Sequence, residues 1–348
     1  MDIAGKKVFI TSCGGLGDLI VCTPALKRLK EKFKCHITFL CQEKYKDVLL
    51  GLPYIDKVVT IERGKFLGRY KCIFSGELYK QDCVIFTDWH PILLVACHLF
   101  KVPLVAGILR QGHKFSKFIN KPIVNQVFEQ IHYAALSNAM TYGMALDVVL
   151  DGNMDDIDVS LPSDNDVIAV DNMLQELNVG ERYIVLSPFA ALKERNYPVE
   201  QAKQLVKKIE AKYKVPVIVI GVKEDTQEAM IISEKVLTGK TSIMQMIQLI
   251  KKATLLISVD SGPMHIAGAV GTPCVALFSK DLPSRWAPRT KCVPIYLNCE
   301  CSPCSDEAAK SCKYNVRCMR DITFEIVMEN VEKLLQSNIH VCNGELKT

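Results

Sequence analysis

Several short runs of this sequence combine residue types that do chemistry. The run Ser12-Cys-Gly-Gly-Leu-Gly-Asp18 places glycines and one carboxylate after an apolar stretch and before a helical period. Glycines there let the backbone approach a ligand closely, and exposed N–H groups at a helix start favour an anion. The Gly-x-Gly-x-x-Gly dinucleotide fingerprint is absent, and so is the Gly-Lys-Ser/Thr of a P-loop. Asp18 then has two readings, a helix cap or a carboxylate placed to take a proton. The run Asp260-Ser261-Gly262-Pro263-Met264-His265 is the more specific signal. It packs a carboxylate, a hydroxyl, a close-approach glycine and an imidazole at a strand end, with Pro263 suited to a helix's first turn. A lone histidine is usually a satisfied core residue, but this polar cluster puts His265 within reach of a bound phosphate.

Basic and acidic residues follow other strand candidates. Lys193 and Arg195 lie in Pro188-Phe-Ala-Ala-Leu-Lys193-Glu-Arg195. Arginine can grip phosphate through two N–H groups, although a solvated charged loop has the same composition. Glu224, in Gly221-Val-Lys-Glu224-Asp225, can accept hydrogen bonds from ribose hydroxyls or cap a helix. Asp88-Trp89-His90 ends another apolar run. Arg63, Lys65 and Arg69 form one basic group; Arg110, His113, Lys114 and Lys117 form a second. Loose charge runs of this kind are as often solvated loops as binding surfaces.

The cysteines divide. Of fifteen, seven fall between Cys13 and Cys97 and eight between Cys274 and Cys342. The odd total and the N-terminus, which runs into a strand without a targeting segment, argue against a disulfide framework and for a reducing cytoplasm. Most, such as Cys22, Cys83 and Cys274, then read as small buried apolar residues. Cys301-x2-Cys304-x7-Cys312-x5-Cys318 is different. These four thiols suit a structural zinc or iron, with reduced or disulfide-paired thiols as the alternative.

Alternating β and α elements must position these runs. Strands are expected at Lys7–Thr11, His36–Leu40, Lys57–Ile61, Cys83–Thr87 and Pro103–Ala106, then at Tyr183–Ser187, Val215–Ile220, Leu255–Val259, Pro273–Phe278 and Val293–Leu297. Apolar residues at helical spacing fall between them, as at Leu26, Leu29 and Phe33, and a last helix is expected over Phe324 to Leu335. That alternation predicts parallel sheets, whose ligands bind beyond the carboxyl ends of the strands. The acidic stretch Leu150–Asp166 reads as a linker with one edge strand. At about 150 residues per domain, 348 residues suggest two domains.

With 49% hydrophobic and 23% charged residues, the composition excludes a disordered or collagen-like chain. A net charge of +5 is too weak to imply nucleic acid, but suits anionic ligands or an anionic membrane surface. The uncharged stretch Ser261–Ser279 is broken by Gly-Thr-Pro and reads as a helix then a strand, not a membrane span.

Gly14-Gly-Leu-Gly-Asp-Leu-Ile-Val-Cys-Thr-Pro-Ala-Leu26 resembles the N-terminal motif of the family 9 glycosyltransferases, the ADP-heptose:lipopolysaccharide heptosyltransferases. Asp260-Ser-Gly-Pro-Met-His-Ile-Ala-Gly-Ala-Val-Gly-Thr-Pro-Cys-Val-Ala-Leu-Phe278 is similar to their nucleotide-sugar motif, and the Cys301–Ile322 region is typical of many members. The resemblance runs through nearly the whole chain. It implies an α/β GT-B fold, two Rossmann-like domains facing a central cleft. Residues 1–160 would bind the acceptor; residues 161–348, with a Cys-rich segment over 292–318, would bind the nucleotide sugar.

The implied reaction moves heptose from ADP-heptose to an inner-core lipopolysaccharide hydroxyl, with inversion and no required cofactor. Asp18 would be the general base and Arg195, at the family's lysine position, would hold the diphosphate. Gly17, Lys193, Glu224, Asp260, Ser261, Gly262 and His265 would bind the donor. Arg63, Lys65, Asp88, His90, Arg110 and Lys114 would meet the acceptor, an anionic glycolipid. The implied location is the cytoplasm, with peripheral contact at the inner membrane. Ser261 stands where the family usually has threonine, Ala190 and Ala191 where it often has hydroxyls, and Tyr197 where tryptophan is frequent. Two alternatives stay open: a GT-B transferase of another nucleotide sugar, and a non-catalytic nucleotide-sugar-binding protein.

Overall fold

The computed structural model describes residues 3–62, 73, 75–109, 113–123 and 133–342. Arg63, Lys65, Arg69 and Arg110 lie outside the described residues. The chain divides into two compact units, Met1–Ser160 and Leu161–Thr348.

In the first unit the strands are β1 (Lys7–Thr11), β2 (His36–Gln42), β3 (Lys57–Ile61), β4 (Cys83–Phe86), β5 (Leu104–Ile108) and β6 (Lys121–Ile123). They pair in parallel in the order β3-β2-β1-β4-β5-β6. Chain order therefore reverses between β1 and β4. Every residue of β1 after Lys7 is buried, which is why the strand reads as a continuous apolar run rather than an alternation. Phe9, Leu40, Val84, Phe86, Leu94 and Val105 share its core. The helix Thr23–Phe33 opens with Pro24, buries Ala25, Leu26 and Leu29, and stops at Lys34, which takes the left-handed conformation. Strand β6 was not expected. It has three residues with a proline at its centre, a pattern tolerated only at a sheet edge, where it lies.

The stretch before the boundary holds no strand among its described residues. Its backbone instead fastens to the first unit. Ser160 N–H donates to the Val48 carbonyl (2.8 Å), Asp158 N–H to Thr23 Oγ1 (2.8 Å), and Gly51 N–H to Ser160 Oγ (2.8 Å). Met154, Ile157 and Val159 are buried along it. The expected edge strand is thus replaced by an anchored strap, whose polar groups find turns and side chains rather than a ladder.

The second unit has β7 (Ile184–Ser187), β8 (Val217–Val219), β9 (Leu255–Val259), β10 (Cys274–Phe278) and β11 (Cys292–Tyr296). All pairs are parallel, in the order β11-β10-β9-β7-β8, so chain order reverses between β7 and β9. The helix Val199–Tyr213 buries Ala202, Leu205, Val206 and Ile209 against the sheet. The helix Gly262–Val270 ends at Gly271, whose φ of +75° is open to glycine at little cost. The last helix runs Phe324–Cys342, longer than expected, and packs Val327 and Val331 into the core. A groove of about 530 Å³ between it and Val199–Tyr213 is lined by Lys208, Lys212, Met328 and Glu332. That groove flanks the end of Val199–Tyr213 remote from the strand carboxyl ends, so it is not where this architecture places ligands.

Two parallel α/β units of this kind make up the GT-B fold class. No described helix is long and apolar enough to cross a membrane. Cys13, Cys22, Cys35, Cys41, Cys83, Cys97 and Cys274 are buried. Burial pushes the thiols of Cys22 and Cys41 up to about 12 and that of Cys35 up to about 11, so they pack as neutral apolar groups.

Candidate active site

Each sheet has one point where the strand order reverses, and polar side chains gather at both. In the first unit the loops after β1 and β4 flank that point. Asp18 lies in the short helix Leu16–Ile20, and its Oδ2 accepts the Gly15 N–H at 2.7 Å. The capping reading is therefore realised. It does not exclude the proton-accepting one, since a carboxylate offers several lone-pair directions. Gly17 is in the same helix. Gln42, at the end of β2, donates its side-chain amide to the carbonyls of Cys13 (2.7 Å) and Gly14 (2.6 Å), so it holds the glycine loop from beneath. Sequence reasoning missed Gln42. Its signal was position, the last residue of a strand.

Asp88 ties the two loops together. Its carboxylate accepts from Thr11 Oγ1 (2.5 Å) and from the Cys13 N–H (2.8 Å), and it lies 3.0 Å from His90 Nε2. Burial alone would raise its pKa. His90, the Thr11 hydroxyl and the Cys13 N–H outweigh that and hold it below the usual carboxylate range. Trp89, between them, meets the His113 ring edge-on at 4.7 Å. That contact brings the exposed Lys114 segment beside the Asp88–His90 loop. Cys13, Asp88 and His90 also offer donor atoms that all lie within 4.8 Å of one another.

Gly14 has a specific role. A Cβ there would come within 2.5 Å of Asp18 Oδ2 and 2.9 Å of its Cγ. Gly14→Ala is expected to push the Asp18 carboxylate aside. Because the obstacle is a movable side chain, stability should fall by no more than the lost Gly15 cap, about 1 kcal/mol, while turnover falls. Equal turnover in Gly14→Ala and the wild type would show that the carboxylate's position does not matter.

In the second unit the loops after β7 and β9 meet. Arg195 reaches from the first to Asp260, with Nη1 at 3.6 Å from the carboxylate and 3.4 Å from the backbone carbonyl. Its Nη2 lies 2.6 Å from Asp281 Oδ2. Its Nε–H is buried without a hydrogen-bond partner among the described residues, and so is Nδ1 of His265. Ser261 is the N-cap of Gly262–Val270, but its hydroxyl turns to the Val259 carbonyl (3.2 Å) and leaves the helix start without a side-chain cap. The indole of Trp286 stands edge-on to His265 at 6.2 Å. Lys193 and Glu224 are exposed, while the neighbouring Asp225 folds back to accept the Val222 N–H at 3.0 Å. Burial, with Glu228 and Glu224 nearby, raises the Asp225 pKa, against the pull of Lys193. The structure thus brings Arg195, Asp260, Ser261 and His265 together, and leaves Glu224 outside the hydrogen bonds seen there.

Burial, then the Arg195 charge, pushes the His265 imidazole down to about 4. The ring is neutral at physiological pH. Its unfolded value is near 6.5, so between about 6.5 and about 4 the unfolded chain binds a proton that the folded one refuses. Stability present at neutral pH should fall as pH drops through that window, by on the order of 3 kcal/mol at most. The check is the unfolding temperature of wild type and His265→Gln from pH 7 to pH 4. Parallel curves would remove His265 as the source.

The Cys-rich segment lies against this site. Burial, and to a lesser extent neighbouring thiols, raises the Cys304 and Cys318 pKa values, for Cys304 against the pull of Lys280. Among the described residues, no three of Cys301, Cys304, Cys312 and Cys318 meet within the 4.8 Å that gathers Cys13, Asp88 and His90. The donor types fit a thiophilic metal; the sulfurs are neighbours that have not closed into a ligand shell.

Comparison with known proteins gives a consistent picture. The description "Glycosyltransferase family 9 (heptosyltransferase)" matches residues 106–315. Lipooligosaccharide heptosyltransferase 2 of Campylobacter jejuni is 23% identical, over 95% of this chain and 99% of the relative. The family 9 glycosyl transferase of Veillonella parvula superposes with a TM-score of 0.78 at 20% identity, covering 97% of this chain and 99% of that one. ADP-heptose lps heptosyltransferase II of E. coli superposes with a TM-score of 0.73 at 18% identity, covering 95% and 99%. The iron-containing dodecameric glycosyltransferase TibC of enterotoxigenic E. coli gives 0.60 at 15% identity, covering 96% and 77%.

Proposed function

This chain belongs to glycosyltransferase family 9, and from that premise we propose that it is an inverting transferase moving heptose from ADP-heptose to an inner-core lipopolysaccharide hydroxyl. The observation that carries the reading is the Arg195 guanidinium at the β7/β9 reversal, with a buried Nε–H that lacks a partner among the described residues, beside a helix start without a side-chain cap. An unpaired buried donor costs about 1–3 kcal/mol, which a diphosphate oxygen would relieve. The heptosyltransferase names of the relatives support the sugar and the acceptor class.

In this reading Asp18 takes the proton of the acceptor hydroxyl as its oxygen attacks the anomeric carbon. The bond from that carbon to the diphosphate breaks, and its electron pair leaves with ADP. Arg195 and the start of Gly262–Val270 stabilise the charge that develops on the leaving phosphate. Neutral His265 offers a hydrogen-bonding nitrogen without competing for the anion. Asp260, Ser261, Gly262, Gly17 and Lys193 are assigned to donor binding, and Glu224 to the ribose. Asp88, His90 and Lys114 face the acceptor, an anionic glycolipid that would draw the protein to a membrane surface. Ala190 and Ala191 remove hydroxyls from the phosphate loop, which favours testing other nucleotide sugars beside ADP-heptose.

A donor screen on a glycolipid acceptor, read by product mass, tests this. A mass gain of one heptose with ADP released supports it. Thermal stabilisation by a UDP-sugar and none by ADP-heptose would sink the donor assignment.

Cys301, Cys304, Cys312 and Cys318 are proposed to hold a structural zinc or iron; no step of the transfer passes through it. Protein purified without chelator should carry about one equivalent of metal, lost in Cys304→Ser. Metal-free wild type with full stability would reject the site.

A further inference from the structure

The loop Ser279-Lys280-Asp281, directly after β10, has no part in the reading above. It holds two charged side chains that are almost wholly buried, Lys280 at 6% and Asp281 at 7% exposure. Lys280 Nζ lies 3.0 Å from both Asp281 oxygens and 3.1 Å from Asp306 Oδ1. Asp281 Oδ2 in turn takes Arg195 Nη2 at 2.6 Å. The chain of charges therefore runs Asp306, Lys280, Asp281, Arg195, Asp260.

We propose that Asp281 is a positioning residue for Arg195, and that Lys280 and the Cys-rich segment hold Asp281 in place. Without Asp281, the guanidinium would turn its fork onto Asp260 and away from a ligand. Held by a carboxylate on each Nη, it keeps the Nε–H edge uncommitted. Lys280 balances the charge of Asp281, so the arginine is oriented without being fully neutralised. Buried ion pairs of this kind contribute little net stability because desolvation offsets attraction, so geometry is what they supply. The loop itself is anchored from the Cys-rich side. Cys304 N–H donates to the Lys280 carbonyl (3.1 Å), and Ser302 Oγ–H to the Ser279 carbonyl (2.6 Å).

The inference rests on Arg195 as the diphosphate contact, and a double-mutant cycle separates the two. Arg195→Ala, Asp281→Ala, the double variant and Asp281→Asn are compared for affinity to whichever of ADP and UDP the wild type binds more tightly, and for unfolding temperature. Asp281→Ala should weaken nucleotide binding roughly tenfold when Arg195 is present and not at all when it is absent, the coupling expected of contacting residues. Asp281→Asn, whose amide oxygen still accepts from Nη2, should recover part of the loss. The unfolding temperature should show the same coupling without nucleotide. The same loss in both backgrounds would mark a merely structural residue and overturn the proposal. So would wild-type affinity in Asp281→Ala while Arg195→Ala is weak, although the diphosphate reading would then stand. Full affinity in Arg195→Ala would overturn that reading itself, and the positioning role with it.

Discussion

Asp18→Asn is expected to lower kcat for glycosyl transfer by about 10²- to 10⁴-fold, the range associated with a positioned general base. The amide oxygen of asparagine can still accept the Gly15 N–H that Asp18 now accepts at 2.7 Å, so the helix keeps its cap. What it loses is the ability to take a proton. Nucleotide affinity and unfolding temperature should therefore stay near wild type, and the defect should sit in kcat. Asp18→Ala serves as the contrast. It loses base and cap together and should also lose about 1 kcal/mol of stability. Steady-state kinetics with saturating acceptor, beside thermal unfolding of all three proteins, make the measurement. Undiminished transfer by Asp18→Asn would assign Asp18 to capping alone.

Arg195→Ala carries the second large effect. Removing a charged group that stabilises a developing anion costs about 10²- to 10³-fold in turnover. Here affinity for the nucleotide should fall as well, since the same guanidinium would meet the diphosphate before the bond breaks. A second loss follows from packing. Asp281, 7% exposed, would lose its 2.6 Å partner, and breaking one side of a buried pair costs about 3–5 kcal/mol. Lys280 remains beside Asp281 and should soften that cost. Arg195→Lys separates the two losses. The family resemblance places lysine at this position, so a point charge should restore most of the turnover. It cannot restore the two-sided grip on Asp260 and Asp281. If Arg195→Lys were as inactive as Arg195→Ala, the planar fork rather than the charge would be what the reaction uses.

Much of the framework is legible in the amino-acid order. Buried parallel strands carry unbroken apolar runs, so Lys7–Thr11 and Leu255–Val259 can be delimited to the residue, and the half-buried edge strand Lys57–Ile61 is marked by its β-branched residues. The rule that ligands lie beyond strand carboxyl ends singles out Asp18, Asp88, Arg195 and Asp260, and the fold sets all four at a reversal of strand order. Strand β6 escapes because three residues around Pro122 have no periodicity to read. The strap at residues 150–160 escapes because its anchors, Val48, Thr23 and Gly51, are more than a hundred residues away.

The limits have one physical cause. Sequence determines what depends on local order: the period of apolar residues, the glycine at Gly271, the chemical type at each strand end. It also carries the family motifs. Contacts between loops depend on which strands become neighbours, and only the tertiary structure decides that. Lys280 and Asp281 look like an ordinary charged turn until β10 settles beside β9 and buries them against Arg195. The sequence marks His265 as a histidine near a bound phosphate but not its charge, which burial and a guanidinium remove. Gln42 gains its role when β1 and β2 align and bring the glycine loop over its amide. A residue's type is written in the chain, but its electrostatic surroundings are made by elements far away in sequence, and those surroundings set what the residue can do.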